Sequence, residues 1–124
     1  MTVLYIGAGG LLGTLARYWL QGWIQSRGGG VFPIGTLAIN IAGSLVLGFV
    51  IRYATGSTVI SPELRAALTI GFCGAFTTMS TFSYESIALL GDAQYWRAAV
   101  YMAGTIVGCL SAVMVGTTVA EKML

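Results

Sequence analysis

The chain has 124 residues, of which 56% are hydrophobic and 8% charged, with a net charge of +2 and no histidine. A soluble domain carries about 25% charged residues, so this composition cannot keep a globular surface wet and predicts one integral membrane domain over residues 1–124. The small, dispersed positive charge excludes a nucleic-acid footprint, and the lack of His removes the imidazole ligands of a transition-metal site.

A helix needs about 20 mostly apolar residues to cross the hydrocarbon. Four stretches meet that need, at about 3–23, 34–53, 65–90 and 96–119. No Lys or Arg precedes the first apolar run, which argues against a signal peptide. The connections read as turns: Ser26 to Gly30, Gly56 to Pro62 and Gly91 to Gln94. Ser61 is the expected N-cap of the third helix, with Pro62 at its first position. Trp19, Trp23, Tyr53 and Trp96 lie near span ends, as in an aromatic belt. Cys73 and Cys109 both fall in apolar runs and read as free thiols.

The first span holds Arg17, whose burial would cost about 2.5–3.5 kcal/mol on insertion scales. Two readings are open: a positive site that attracts anions, or a side chain snorkelling outward past Trp19 and Trp23. Gly9 and Gly13 have the small-xxx-small spacing that lets backbones approach. So do Ser44 and Gly48, Gly104 and Gly108, and Ala112 and Gly116.

In the second span Thr36, Asn40, Ser44 and Gly48 recur every fourth residue as a polar, small-side-chain stripe. It predicts either interhelical hydrogen bonds or donors facing a pathway, because a buried amide must find partners.

The third span is the most unusual. Thr77, Thr78, Ser80, Thr81 and Ser83 crowd into seven positions after Gly71 and Gly74. Irregular or polar backbone survives at membrane depth only where protein or a wet cavity covers it. A break is therefore expected between Gly74 and Thr78. Its exposed carbonyls suit a small hard cation. Phe76 and Phe82 could meet an anion with their positive ring edges. Glu85 is the one acid well inside a span, and reads either as a coupling acid or as a partner for hydroxyls. In the fourth span Tyr101, Thr105, Cys109 and Ala112 form a comparable stripe, for which ordinary packing is an equal reading.

Loop charges barely differ. Arg52, Arg65 and Lys122 lie on one side, and Arg27 and Arg97 on the other. Such balance permits insertion both ways, hence an antiparallel homodimer, or else a weak bias toward one orientation.

The stretch from Gly71 to Glu85, GFCGAFTTMSTFSYE, resembles the signature of the Fluc (CrcB) fluoride channels. Gly35 to Gly43 (GTLAINIAG) and Gly13 to Arg17 resemble its second-span and first-span patterns, and the likeness covers the whole chain. The resemblance implies a passive, fluoride-selective channel of the inner membrane. Its fold would be an all-α antiparallel dual-topology homodimer, with four transmembrane helices per chain and the third broken near its middle.

By the same resemblance Asn40, Ser80, Thr81 and Phe82 border the fluoride pathway, joined by Tyr101 and Thr105. Gly74 and Thr77 would give backbone carbonyls to a structural Na⁺ at the dimer centre. Arg17, Thr36, Ser44 and Glu85 would line or support the vestibule. Met79 departs from the pattern, standing where the family usually has its first phenylalanine. It lacks a ring edge, so a working channel with altered throughput is expected. A small multidrug transporter fits less well, because the first span carries Arg17 and no acid. A purely structural subunit would not need five clustered hydroxyls.

Overall fold

A computed structural model describes residues 1–28 and 30–124. Among them the regular structure is entirely helical. Helix α1 runs Thr2–Gly28 and α2 runs Ile34–Gly56. The third stretch is composite: α3 (Pro62–Ala66), a π-helical turn (Ala67–Cys73), α4 (Gly74–Phe76) and α5 (Met79–Gly91). Helix α6 runs Tyr95–Met123. Helices α2 and α6 are each long and apolar enough to cross a membrane. Helix α1 has the length, at about 1.5 Å per residue, but places Arg17, Gln21 and Gln25 in its second half.

Local chemistry explains most boundaries. Ser61 accepts the Leu64 N–H at 3.2 Å and Pro62 opens α3, as the sequence indicates. Helix α1 outruns the expected turn at Ser26. The Ser26 hydroxyl donates to the Trp23 carbonyl at 2.8 Å, and Arg27 lies 4.9 Å over the Trp23 ring, so the helix continues to Gly28. Gln25 then clasps the connection. Its amide N–H₂ donates to the Gly30 and Phe32 carbonyls, and its oxygen accepts the Gly35 N–H. Between α5 and α6, Ala93 takes the left-handed conformation at φ 56°.

The most extensive pairing is α2 with α6, and α1 lies along the π-helical turn and α4. Both interfaces depend on glycine. A side chain at Gly9 would strike the Ala67 carbonyl, and one at Gly13 would strike Phe72 backbone. Gly48 meets the Val113 carbonyl and Gly116 the Leu45 carbonyl in the same way. Gly104, though spaced for packing, has open space around it.

The surface is strongly apolar, and polar residues share the core with apolar ones. Leu12, Trp19, Val107 and Met114 face outward, whereas Thr36, Asn40, Ser86 and Thr105 are buried. Such a surface suits lipid, and the polar interior must be internally satisfied there.

The glycine contacts yield a paired expectation. Gly116→Ala should destabilise the fold by about 1–3 kcal/mol, because backbone rather than a flexible side chain blocks the new methyl. Gly104→Ala should be neutral or slightly stabilising, since it meets nothing and favours helix. Thermal unfolding of both variants in detergent checks the contrast.

Candidate functional site

The site forms where the third stretch loses helical geometry. Phe76 ends α4, Thr77 (φ −89°, ψ 157°) and Thr78 (φ −149°, ψ 113°) are extended, and Met79 begins α5. Helix ends leave backbone groups unpaired, and each here finds a particular partner. The Thr77 N–H and hydroxyl both donate to the Cys73 carbonyl, at 3.0 and 2.8 Å. The Thr78 N–H donates to Asn40 Oδ1 at 2.8 Å, and Asn40 Nδ2 donates back to the Thr78 carbonyl at 3.2 Å. The side chain of α2 thus pairs with Thr78 as a neighbouring strand would. Thr78 Oγ1 caps α5 by accepting the Thr81 N–H at 3.2 Å.

Two carbonyls are released by this change. In a continuous helix the Thr78 N–H would bond the Gly74 carbonyl; here it turns to Asn40, and Gly74 lies exposed. The Ala75 carbonyl accepts Arg17 Nε at 2.9 Å. Half-buried Arg17 therefore does not snorkel past Trp19 and Trp23. Its guanidinium sits at the carbonyl end of α4, where a cation is favoured.

An open groove of about 380 Å³ flanks the interruption. Asn40 and Ser44 of α2, Thr77 and Thr78, Met79 and Phe82 of α5, and Thr105 and Cys109 of α6 line it. Asn40 Nδ2 carries a second hydrogen beyond the one given to Thr78. Thr105 Oγ1 is buried with no hydrogen-bond partner. Phe82 is buried and lies 5.2 Å from the Tyr101 ring at 53°. Met79 is 72% exposed at the edge.

A second polar array crosses the four helices beside the groove. Gln21 Nε2 donates to Thr36 Oγ1 at 3.0 Å, so the Thr36 proton goes to Glu85 Oε1 at 2.6 Å. The Tyr101 hydroxyl also donates to Glu85 Oε1, at 3.4 Å. Glu85 is thus held by hydroxyls. The one ion pair among the described residues is Arg52–Glu121, which is exposed. A further open depression of about 390 Å³ is lined by Arg17, Gln21, Gln25, Thr14, Tyr18 and Gly22.

The expected residues therefore divide. Asn40, Ser44, Thr77, Met79, Phe82 and Thr105 meet at the groove. Thr36, Glu85 and Tyr101 form the neighbouring array, and Arg17 belongs to the depression beyond it. Thr78 Oγ1 donates to Thr81 Oγ1 at 3.0 Å and lies 3.3 Å from the Ser80 hydroxyl. Phe76, expected to offer a ring edge, is instead buried, stacks on Phe72 at 5.5 Å and packs against the space left by Gly43. Sequence reasoning missed Gln21 and Gln25, and gave the Thr78 backbone no partner. A glutamine in an apolar run is a signal of the same kind as Asn40, and two are present.

A family model described as CrcB-like protein, Camphor Resistance (CrcB), matches residues 4–117. The chain belongs to this family. Among its relatives is a protein of Geotalea daltonii named fluoride-specific ion channel FluC, 44% identical over 120 residues, which covers 97% of both chains. Relatives with the same name from Geotalea uraniireducens (43% identical, 98% of both chains) and Chlorobaculum tepidum (43%, 96% of this chain and 94% of the other) match as broadly.

Asn40→Ala should unpin Thr78 and leave two part-buried backbone groups unpaired, at about 1–3 kcal/mol. Hydrogen exchange at the Thr78 amide should accelerate while the α2–α6 amides stay protected. Unchanged exchange at Thr78 would mean that the carboxamide does not hold the interruption.

Proposed function

We propose that this CrcB-like membrane protein is a passive, fluoride-selective channel, not an enzyme, that lowers cytoplasmic fluoride. The observation that carries the reading is the groove. It combines uncommitted donors, Thr105 Oγ1 and the second N–H of Asn40, with the Phe82 ring, in a chain over 40% identical to proteins named fluoride-specific channels. Donors replace water around a small anion, and an apolar wall gives the hydrated ion no partners. Aromatic edges are positive, so Phe82 suits an anion met edge-on. Met79 offers no ring edge, so Phe82 is the groove's one phenylalanine and throughput is altered rather than abolished.

The four helical stretches each cross the inner membrane once in this reading. Two antiparallel copies assemble so that the open grooves of each are covered by the other. Arg17 draws anions into the outer depression, and Ser80, Thr81, Thr36, Ser44, Tyr101 and Glu85 support the path. Glu85 does not repel the anion strongly, because Thr36 and Tyr101 both donate to it. No nucleotide or proton gradient is needed, since a negative interior drives an anion outward.

The Gly74 and Thr77 carbonyls of both copies would hold a structural Na⁺. The donor set fits: Gly74 is exposed and its carbonyl lacks the Thr78 N–H, and hard cations take oxygen ligands. Such an ion would pin the two interruptions together and is not transported.

Efflux from liposomes, with valinomycin carrying K⁺ and no proton gradient, tests the proposal. Fluoride should leave rapidly and chloride should not. Phe82→Ile should nearly abolish the flux with the dimer intact. Asn40→Asp should block it, by placing a carboxylate where a donor stood. No fluoride loss from folded, dimeric protein would sink the reading.

A further inference from the structure

One thiol lines the groove. Cys109 is a free, half-buried thiol on α6, one helical turn beyond Thr105, whose buried Oγ1 has no partner in the protein. The other thiol, Cys73, is 2% exposed inside the π-helical turn and does not line the groove. The two cysteines therefore differ in access. Among side chains that otherwise offer hydroxyls, an amide, the Met79 thioether or hydrocarbon, Cys109 is the one thiol. A thiol is also a weak donor, so it does little for an anion as it stands.

We propose that Cys109 is a modification site within the ion path, taken by small, neutral thiol-directed electrophiles, and that its adduct closes the channel. This rests on the groove being the fluoride pathway. The reagent that tests it is methyl methanethiosulfonate. The Cys109 thiolate attacks the sulfenyl sulfur and a new S–S bond forms. The bond to the sulfonyl sulfur breaks, methanesulfinate leaves with the electron pair, and the thiol proton passes to water. The S-methyl group then projects beside Asn40, Ser44 and Phe82, where the anion must shed water. The mixed disulfide is reversed by dithiothreitol.

The experiment uses the full chain in liposomes, with flux measured before and after reagent and intact mass read on the same sample. The parent's fluoride efflux should fall about tenfold or more, as expected for a filled narrow pore, and recover with dithiothreitol. Cys73→Ser should respond like the parent. Cys109→Ser should keep whatever flux it had before treatment. A labelled Cys109 with unchanged flux overturns the proposal, as does inhibition that persists in Cys109→Ser. An unlabelled Cys109 in folded protein that labels after denaturation overturns it too. If untreated protein passes no fluoride, the channel reading fails by itself. Labelling of Cys109 but not Cys73 then still upholds the accessible thiol, and equal labelling of both removes it.

Discussion

The carboxamide of Asn40, closed on the N–H and C=O of Thr78, is the contact on which the centre of this molecule depends. At membrane depth an unpaired backbone group costs several kcal/mol, so an extended dipeptide inside a helical stretch needs a partner with both a donor and an acceptor. A carboxamide has them on one rigid plane. A carboxylate lacks the donor, and a hydroxyl cannot reach both groups. Once Thr78 is held, the Gly74 carbonyl loses its helical donor and the Ala75 carbonyl turns to Arg17. The position of Arg17 in α1 thus follows from a side chain on α2.

That arrangement needs helices close enough for one side chain to reach another backbone. Glycine supplies the proximity. Gly9 and Gly13 of α1 lie on the backbone of the π-helical turn, and Gly43 makes room for Thr77 and Phe76. π-Helical turns recur at functional sites. Here the turn presents its carbonyls to α1 just before the chain becomes extended. Close packing on one side and the Asn40 bond on the other hold the two extended residues between rigid neighbours.

Much of this was legible because polar residue types are scarce in so apolar a chain. Asn40, the hydroxyl cluster, Glu85 and Arg17 stand out without any structure, and Ser61-Pro62 marks a helix start by itself. What was not legible involves backbone partners and side-chain direction. Nothing in the sequence pairs Arg17 with the Ala75 carbonyl rather than the interface. Phe76 and Phe82 look equivalent by type and spacing, yet one stacks on Phe72 in the core and the other faces the groove. The four-residue stripe of α2 divides as well: Thr36 joins Gln21 and Glu85, whereas Asn40 and Ser44 face the groove. A shared helix face fixes neighbours along one element and leaves open which other elements lie opposite.

The hydroxyl cluster also proves a poor measure of what an ion would meet. Thr77 spends its proton on Cys73, Ser83 on Met79 and Ser86 on Phe82, all on backbone carbonyls. Thr78 donates to Thr81 Oγ1, and Ser80 bonds Thr78. Most of these groups therefore stabilise the irregular backbone. The donors left for an anion are few: the second N–H of Asn40 and the hydroxyl of Thr105, with Ser44 beside them. Scarcity has a consequence for selectivity. Two or three fixed donors cannot replace the full hydration shell of any ion, so the deficit must be met by the strength of each contact. Contact strength rises as the anion becomes smaller, and a wall of Phe82, Met79 and Leu110 offers a larger anion nothing in return. The hydration to be replaced is also greatest for the smallest anion, so a fluoride path built on these few donors would need the positive edge of Phe82 and a covering second copy to add contacts of their own.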